Sequence, residues 1–123
     1  MAKRSNLIST VSVLGLVLAT SLAAGVASAM TLRELRALEI SHEEGKSFVQ
    51  YYLVGVMEGA LEAHAQDVRL GAKPVICLNG RRLEPRMAKE LYDAELKRNP
   101  GLYEADMPVQ MVLTNALMTV YSC

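Results

Sequence analysis

The 123 residues contain no tryptophan and one phenylalanine, with two cysteines and two histidines. With so few large aromatics, a core has to be assembled from Leu, Val, Met and Ala. No H-E-x-x-H pair, no Cys-x-x-Cys and no glycine-rich phosphate loop occurs, so the usual sequence marks of zinc, dithiol and nucleotide chemistry are missing. Net charge is missing too: 13 basic side chains balance 13 acidic ones. A chain without a basic excess has no electrostatic footprint for nucleic acid or for an anionic membrane surface.

Charge is also absent from one long stretch. After Lys3 and Arg4 the chain reads "SNLISTVSVLGLVLATSLAAGVASAM", with no charged residue before Arg33. A cationic start, an apolar middle and a small-residue A-x-A exit at Ala27-Ser28-Ala29 describe a secretory signal peptide over residues 1–29, cut between Ala29 and Met30. An uncleaved membrane anchor is the alternative, because the run is long enough to span a bilayer. Ser, Thr and Gly dilute that run, and no cysteine stands at the cut to carry a lipid. Removing 29 of 123 residues leaves a single domain, residues 30–123, of net charge about −2 and with no membrane segment. Export is expected to place it in an oxidising compartment.

Both cysteines survive that cleavage. Cys77 lies in "KPVICLNG" and Cys123 ends the chain. Two is the smallest even count, and an oxidising compartment favours pairing, so a Cys77–Cys123 disulfide is expected. A free thiol, a metal ligand and an intermolecular bridge are its rivals. The crosslink is expected to contribute about 4 kcal/mol in a domain too small for a large core.

Four helices are expected. Thr31 and Glu34 form a T-x-x-E capping box ahead of Leu32, Leu35 and Leu38. Ser41 is the expected cap of a long second helix, with Phe48, Tyr52, Val56, Gly59 and Ala63 as its buried stripe. Gly55 and Gly59 each cost about 1 kcal/mol of helix propensity relative to Ala. Their spacing predicts that another element packs closely there. Residues 67–83 lose periodicity, and Asn79-Gly80 marks a turn. Pro85 starts a third helix with Met87, Leu91 and Ala94 inward, and Leu83 leans on it from outside. Asn99-Pro100-Gly101 ends it. Asp106 is the expected cap of the last helix, whose stripe is Val109, Val112, Leu113, Ala116, Leu117 and Val120. The fold class is all-α: a small bundle of about four helices with one intramolecular disulfide.

Chemistry is sparse. His42 precedes two glutamates, and His64 stands two residues past Glu62, a spacing that points helix side chains apart. Glu58 and Glu62, one turn apart, are the pattern of a metal pair or an acid–base pair, but more commonly of a solvated helix face. A Cys77–His64 hydrolase needs a reduced thiol, which the disulfide removes. No enzyme site, metal site or cofactor site is therefore expected. Arg81, Arg82 and Arg86 cluster beside the turn that the disulfide holds. A rigid, protruding, basic loop is a binding device, and Asn79, Gly80, Arg81 and Arg82 are its candidate residues. Ordinary solvated arginines at a helix start are the plainer reading.

The order of these features resembles the Rap/Tai family of type VI secretion immunity proteins, over roughly Tyr51 to Cys123. The resemblance is carried by "YYLVGVMEGALEAH" with Gly55 and Gly59, by Cys77 in "VICLNG", by Asn99-Pro100, and by Ala116-Leu117 with the final Cys123. The chain differs at Asn79, where the family often has proline. The resemblance implies a small helical periplasmic protein, often a homodimer, that binds a toxin delivered by neighbouring cells. That toxin is typically a peptidoglycan amidase, inhibited by covering its catalytic cleft. The alternative is a small helical periplasmic holdase of the acid-stress kind, also all-α and two-cysteine, with no toxin-specific role.

Overall fold

A computed structural model describes residues 29–123. The expected signal peptide, apart from Ala29, lies outside them. Four helices follow in order: α1 (Leu32–Ser41), α2 (Gly45–Arg69), α3 (Pro85–Arg98) and α4 (Val109–Val120). Among the described residues there is no sheet, only two isolated antiparallel bridges, Thr31 with Pro108 and Ile76 with Ser122. No helix among them is long and apolar enough to cross a membrane.

The start of α1 is built as its sequence dictates. Thr31 Oγ1 accepts from Glu34 N at 3.2 Å, and Thr31 N donates to Glu34 Oε2 at 2.7 Å. The Thr31 N bond, with a second from the Thr31 hydroxyl to the same Oε2 at 2.9 Å, holds the Glu34 carboxyl below its ordinary range. Two further N–H groups that an α-helix leaves unpaired find carbonyls outside it. Leu32 N donates to Met107 O at 3.0 Å, and Arg33 N donates to Ala105 O at 2.9 Å. Val109 N returns the exchange by donating to Met30 O at 3.0 Å. The beginnings of α1 and α4 therefore cap one another. Met30 is half-buried by that contact, while Ala29 is exposed.

Ser41 does not cap α2. It is the last residue of α1, with its hydroxyl on Leu38 O at 3.3 Å. Gly45 opens α2 because the helix joint is tight there. A Cβ on Gly45 would strike the carbonyl oxygen of Leu38 and lie 2.8 Å from that of Glu39. The close approach expected at Gly55 and Gly59 is thus found at Gly45 instead.

Helix α2 is the hub, packing against α1, α3 and α4, while α3 also packs against α4. Its buried face is Gly45, Val49, Leu53, Met57 and Ala60. This is the expected stripe moved on by one residue, a rotation of about 100°. Phe48 and Gly59 are exposed, and Tyr52 and Val56 are half-buried. Helix α3 departs in the same way. It buries Ala88, Leu91, Tyr92 and Glu95, leaving Met87 half-buried and Ala94 exposed. Helix α4 buries Val109, Val112, Leu113, Ala116 and Leu117 as expected, but Val120 at its end is 43% exposed. Asp106 is not the cap of α4, which is Pro108. Because Met30 O already serves Val109 N, Asp106 is left to pair with Arg33 at 2.9 Å on the surface.

Candidate functional site

The long connection between α2 and α3 carries the turn expected from the sequence as a candidate binding surface. Helix α2 ends at Leu70 and Gly71, whose φ of 101° ends the helical path. Ile76 then turns into the core and is only 8% exposed. Its neighbour Cys77 is bonded to Cys123, with their Cα atoms 4.9 Å apart. Cys77 N also donates to Tyr121 O at 2.7 Å, and Ile76 bridges Ser122. The chain end is thus pinned to the connection by a covalent bond and by backbone pairing, and both cysteines are used.

Immediately beyond Cys77 the chain reverses. Arg81 N donates to Leu78 O at 3.0 Å, closing a four-residue turn over Asn79 and Gly80. Both central residues have positive φ, 52° and 76°. This pair of values is that of a type I′ turn, and Asn-Gly is the pair that adopts it at least strain. A proline at Asn79 is barred by that positive φ. The turn is exposed at Asn79, Gly80, Arg81 and Arg82.

The three arginines do not form one free cationic cluster. Arg81 folds back: its Nε donates to Leu78 O at 3.0 Å, and its guanidinium lies 4.7 Å from the centre of the Tyr121 ring. Arg86 is paired with Glu84 at 2.8 Å and with Glu90 at 3.4 Å. Those two carboxylates, Glu84 foremost, raise its pKa above the ordinary guanidinium range. Of the three, Arg82 alone has no hydrogen bond, ion pair or ring contact among the described residues, since Arg81 holds Leu78 O and the Tyr121 ring and Arg86 its two carboxylates. The usable cation of this turn is Arg82, set beside the backbone and amide groups of Asn79 and Gly80.

A second anchor comes from α2. His64 continues the buried stripe one turn beyond Ala60, and its Nε2 accepts from Ile76 N at 3.3 Å. The sequence reading missed this role, although the spacing Val49, Leu53, Met57, Ala60, His64 carries it. Glu58 and Glu62 are exposed, and Glu62 is paired with Arg69 at 2.6 Å. No three His, Cys, Asp or Glu side chains among the described residues come together as metal ligands. Gly55 and Gly59 face open space, with nothing within 4 Å of a Cβ on either. They line a shallow recess with Tyr51, Tyr52, Val56, Ala60 and Gln110.

Another feature the sequence reading missed is a buried carboxylate. Glu95, 2% exposed, receives Tyr103 Oη at 2.7 Å, Asn99 Nδ2 at 2.8 Å and Arg98 at 2.7 Å. Asn115 of α4 donates to the same Tyr103 hydroxyl at 3.0 Å. Burial opposes the charge on Glu95, yet the bonds from Tyr103, Arg98 and Asn99 prevail and lower its pKa. This network fixes the connection between α3 and α4, which in turn supplies the carbonyls that cap α1.

Compared with protein-family models, with curated proteins and with solved structures, the chain matches none. The resemblance to the immunity family rests on the residues quoted for it.

Proposed function

We propose that the protein is a periplasmic immunity protein, which binds a toxin delivered by type VI secretion and covers its catalytic cleft. The toxin proposed is a peptidoglycan amidase, and the inhibitor's contact surface is the turn Asn79–Gly80–Arg81–Arg82. The observation that carries this reading is the double fastening of that turn, by the Cys77–Cys123 bond and by the Cys77 N to Tyr121 O bond at 2.7 Å. A surface fixed before binding has little conformational entropy left to lose, so more of its contact energy appears as affinity. Occlusion needs no catalytic residues of its own. The resemblance also carries the expectation of a homodimer, which light scattering measures directly.

The test is capture of partners by the oxidised protein from lysate containing candidate periplasm-targeted toxins, identified by mass spectrometry. One stoichiometric amidase supports the immunity reading. A spread of unrelated clients that grows as pH falls supports the holdase instead, a reading favoured by the exposed Ile40, Tyr51 and Leu70.

A further inference from the structure

We propose that His64 is a pH-operated latch that holds the disulfide-bearing connection against α2. Residues 73–84 make one hydrogen bond to α2 among the described residues, from Ile76 N to His64 Nε2 at 3.3 Å. Beyond the turn itself, their other polar ties run from Glu84 to Arg86 and Met87 of α3, and to the chain end through the disulfide, Cys77 N to Tyr121 O, and Arg81 over the Tyr121 ring. The link to α2 differs from these in requiring an imidazole lone pair.

The chemistry of the switch follows from the donor inventory. For Nε2 to accept, the ring proton must reside on Nδ1; the imidazolium has two donors and no acceptor. Protonation therefore sets an N–H of the ring against the N–H of Ile76, and the bond is lost. Histidine is the side chain whose charge ordinarily changes between pH 5 and 8.

The surroundings offer the imidazolium another partner. On α2, Asp67 lies three residues on and lines the same recess as His64, with no side-chain partner of its own. Glu58 and Glu62, also on α2, line the recess on the other side, and Glu62 is already held by Arg69. From α4 the ring faces Gln110, Thr114 and Met118, and from the connection Val75, Ile76 and Leu78, none of them charged. Charging His64 exchanges an acceptor contact with Ile76 for a donor contact with Asp67. The connection then loses its hydrogen bond to α2, while Ile76 stays in the core and the disulfide holds the chain end. Acid thus removes one polar support of the turn and leaves the others in place. The weakened partner binding that follows rests on the immunity reading; the latch does not.

Nuclear magnetic resonance of the oxidised protein between pH 8 and pH 5 tests the latch, following the His64 ring and the Ile76 and Cys77 amides. The Ile76 amide resonance is expected to move with the midpoint of the His64 ring. Its exchange protection, corrected for intrinsic rate, falls about tenfold, as for loss of one hydrogen bond. The Cys77 amide, bonded to Tyr121 O, keeps its protection. His64→Gln, whose side-chain oxygen accepts at any pH, is expected to retain Ile76 protection across the range. An Ile76 amide unmoved while His64 titrates would overturn the latch, and so would joint loss of Ile76 and Cys77 protection. These outcomes are read in the wild-type protein, so a poorly folded variant does not obscure them. They are equally independent of whether a toxin is ever captured.

Discussion

The guanidinium of Arg81 lies 4.7 Å from the centre of the Tyr121 ring, and its Nε donates to Leu78 O. Arg81 is thereby a fastener of the turn as well as part of its exposed surface. Its neighbour Arg82 is left with the exposed charge. Replacing Arg81 with alanine is expected to lower stability by about 1 kcal/mol, the scale of an exposed cation–π contact. Arg82→Ala is expected to change it by less than about 0.5 kcal/mol. Urea unfolding of the two variants distinguishes the roles; equal effects would contradict them.

The disulfide closes a ring with a sequence separation of 46 residues. Constraining the unfolded chain by a ring of that length contributes about 4 kcal/mol in the chain-entropy model. Cys77→Ser combined with Cys123→Ser is expected to lower unfolding free energy by that order. The chain end and residues 73–84 are expected to exchange amide protons faster than the Glu95 network, which has its own hydrogen bonds. Hydrogen exchange followed by mass spectrometry reads both effects.

Glu95 gives the fold a defined acid sensitivity. Its folded-state pKa is lowered, with bonds from Tyr103, Arg98 and Asn99 outweighing burial. A depressed carboxyl stabilises the folded state fully above its unfolded value, about 4.3. That contribution fades as pH falls through the lower folded value. Glu95→Gln is expected to cost about 3 kcal/mol at pH 7, as when a buried, charge-assisted network loses its anion. The difference between variant and wild type should shrink below about pH 4. A constant difference down to pH 2.5 in thermal unfolding would show that the carboxylate is not the source.

The three glycines of α2 separate close approach from open space. Gly45→Ala places a Cβ against the carbonyls of Leu38 and Glu39 and is expected to destabilise by about 1–3 kcal/mol, as overpacking does. Gly55→Ala and Gly59→Ala meet nothing within 4 Å. Each is expected to stabilise by up to about 1 kcal/mol through helix propensity alone. Thermal unfolding of the three single variants gives the signs.

Much of this fold was legible because its signals are local. The Thr31–Glu34 box, Pro85 at a helix start, Asn79-Gly80 at a turn and the stripe of α4 each follow from residues within a few positions. The phase of α2 was not legible. Phe48, Tyr52, Val56, Gly59 and Ala63 share their spacing with Val49, Leu53, Met57, Ala60 and His64. A helix apolar on several sides does not say which stripe its neighbours will cover. The Glu95 network had a faint signal: a carboxylate completing the apolar spacing of Ala88, Leu91 and Tyr92. Its partners Tyr103 and Asn115 are brought there only by the tertiary fold. The caps failed where backbone groups from elsewhere had taken the work, as Met30 O did at Val109. The candidate turn was legible in its residues, but the division of labour between Arg81 and Arg82 depends on Tyr121, which lies 40 positions away.

The central claim is that a disulfide-fastened turn blocks a peptidoglycan amidase. The most direct measurement titrates the amidase captured with this protein, on peptidoglycan, with increasing amounts of wild-type protein and of a folded Asn79→Ala, Arg82→Ala double variant. Stoichiometric inhibition by the wild type is expected, with affinity weakened at least about tenfold in the variant, equivalent to about 1.4 kcal/mol. No inhibition by the wild type would contradict the function, and equal inhibition by both proteins would contradict the turn as its site.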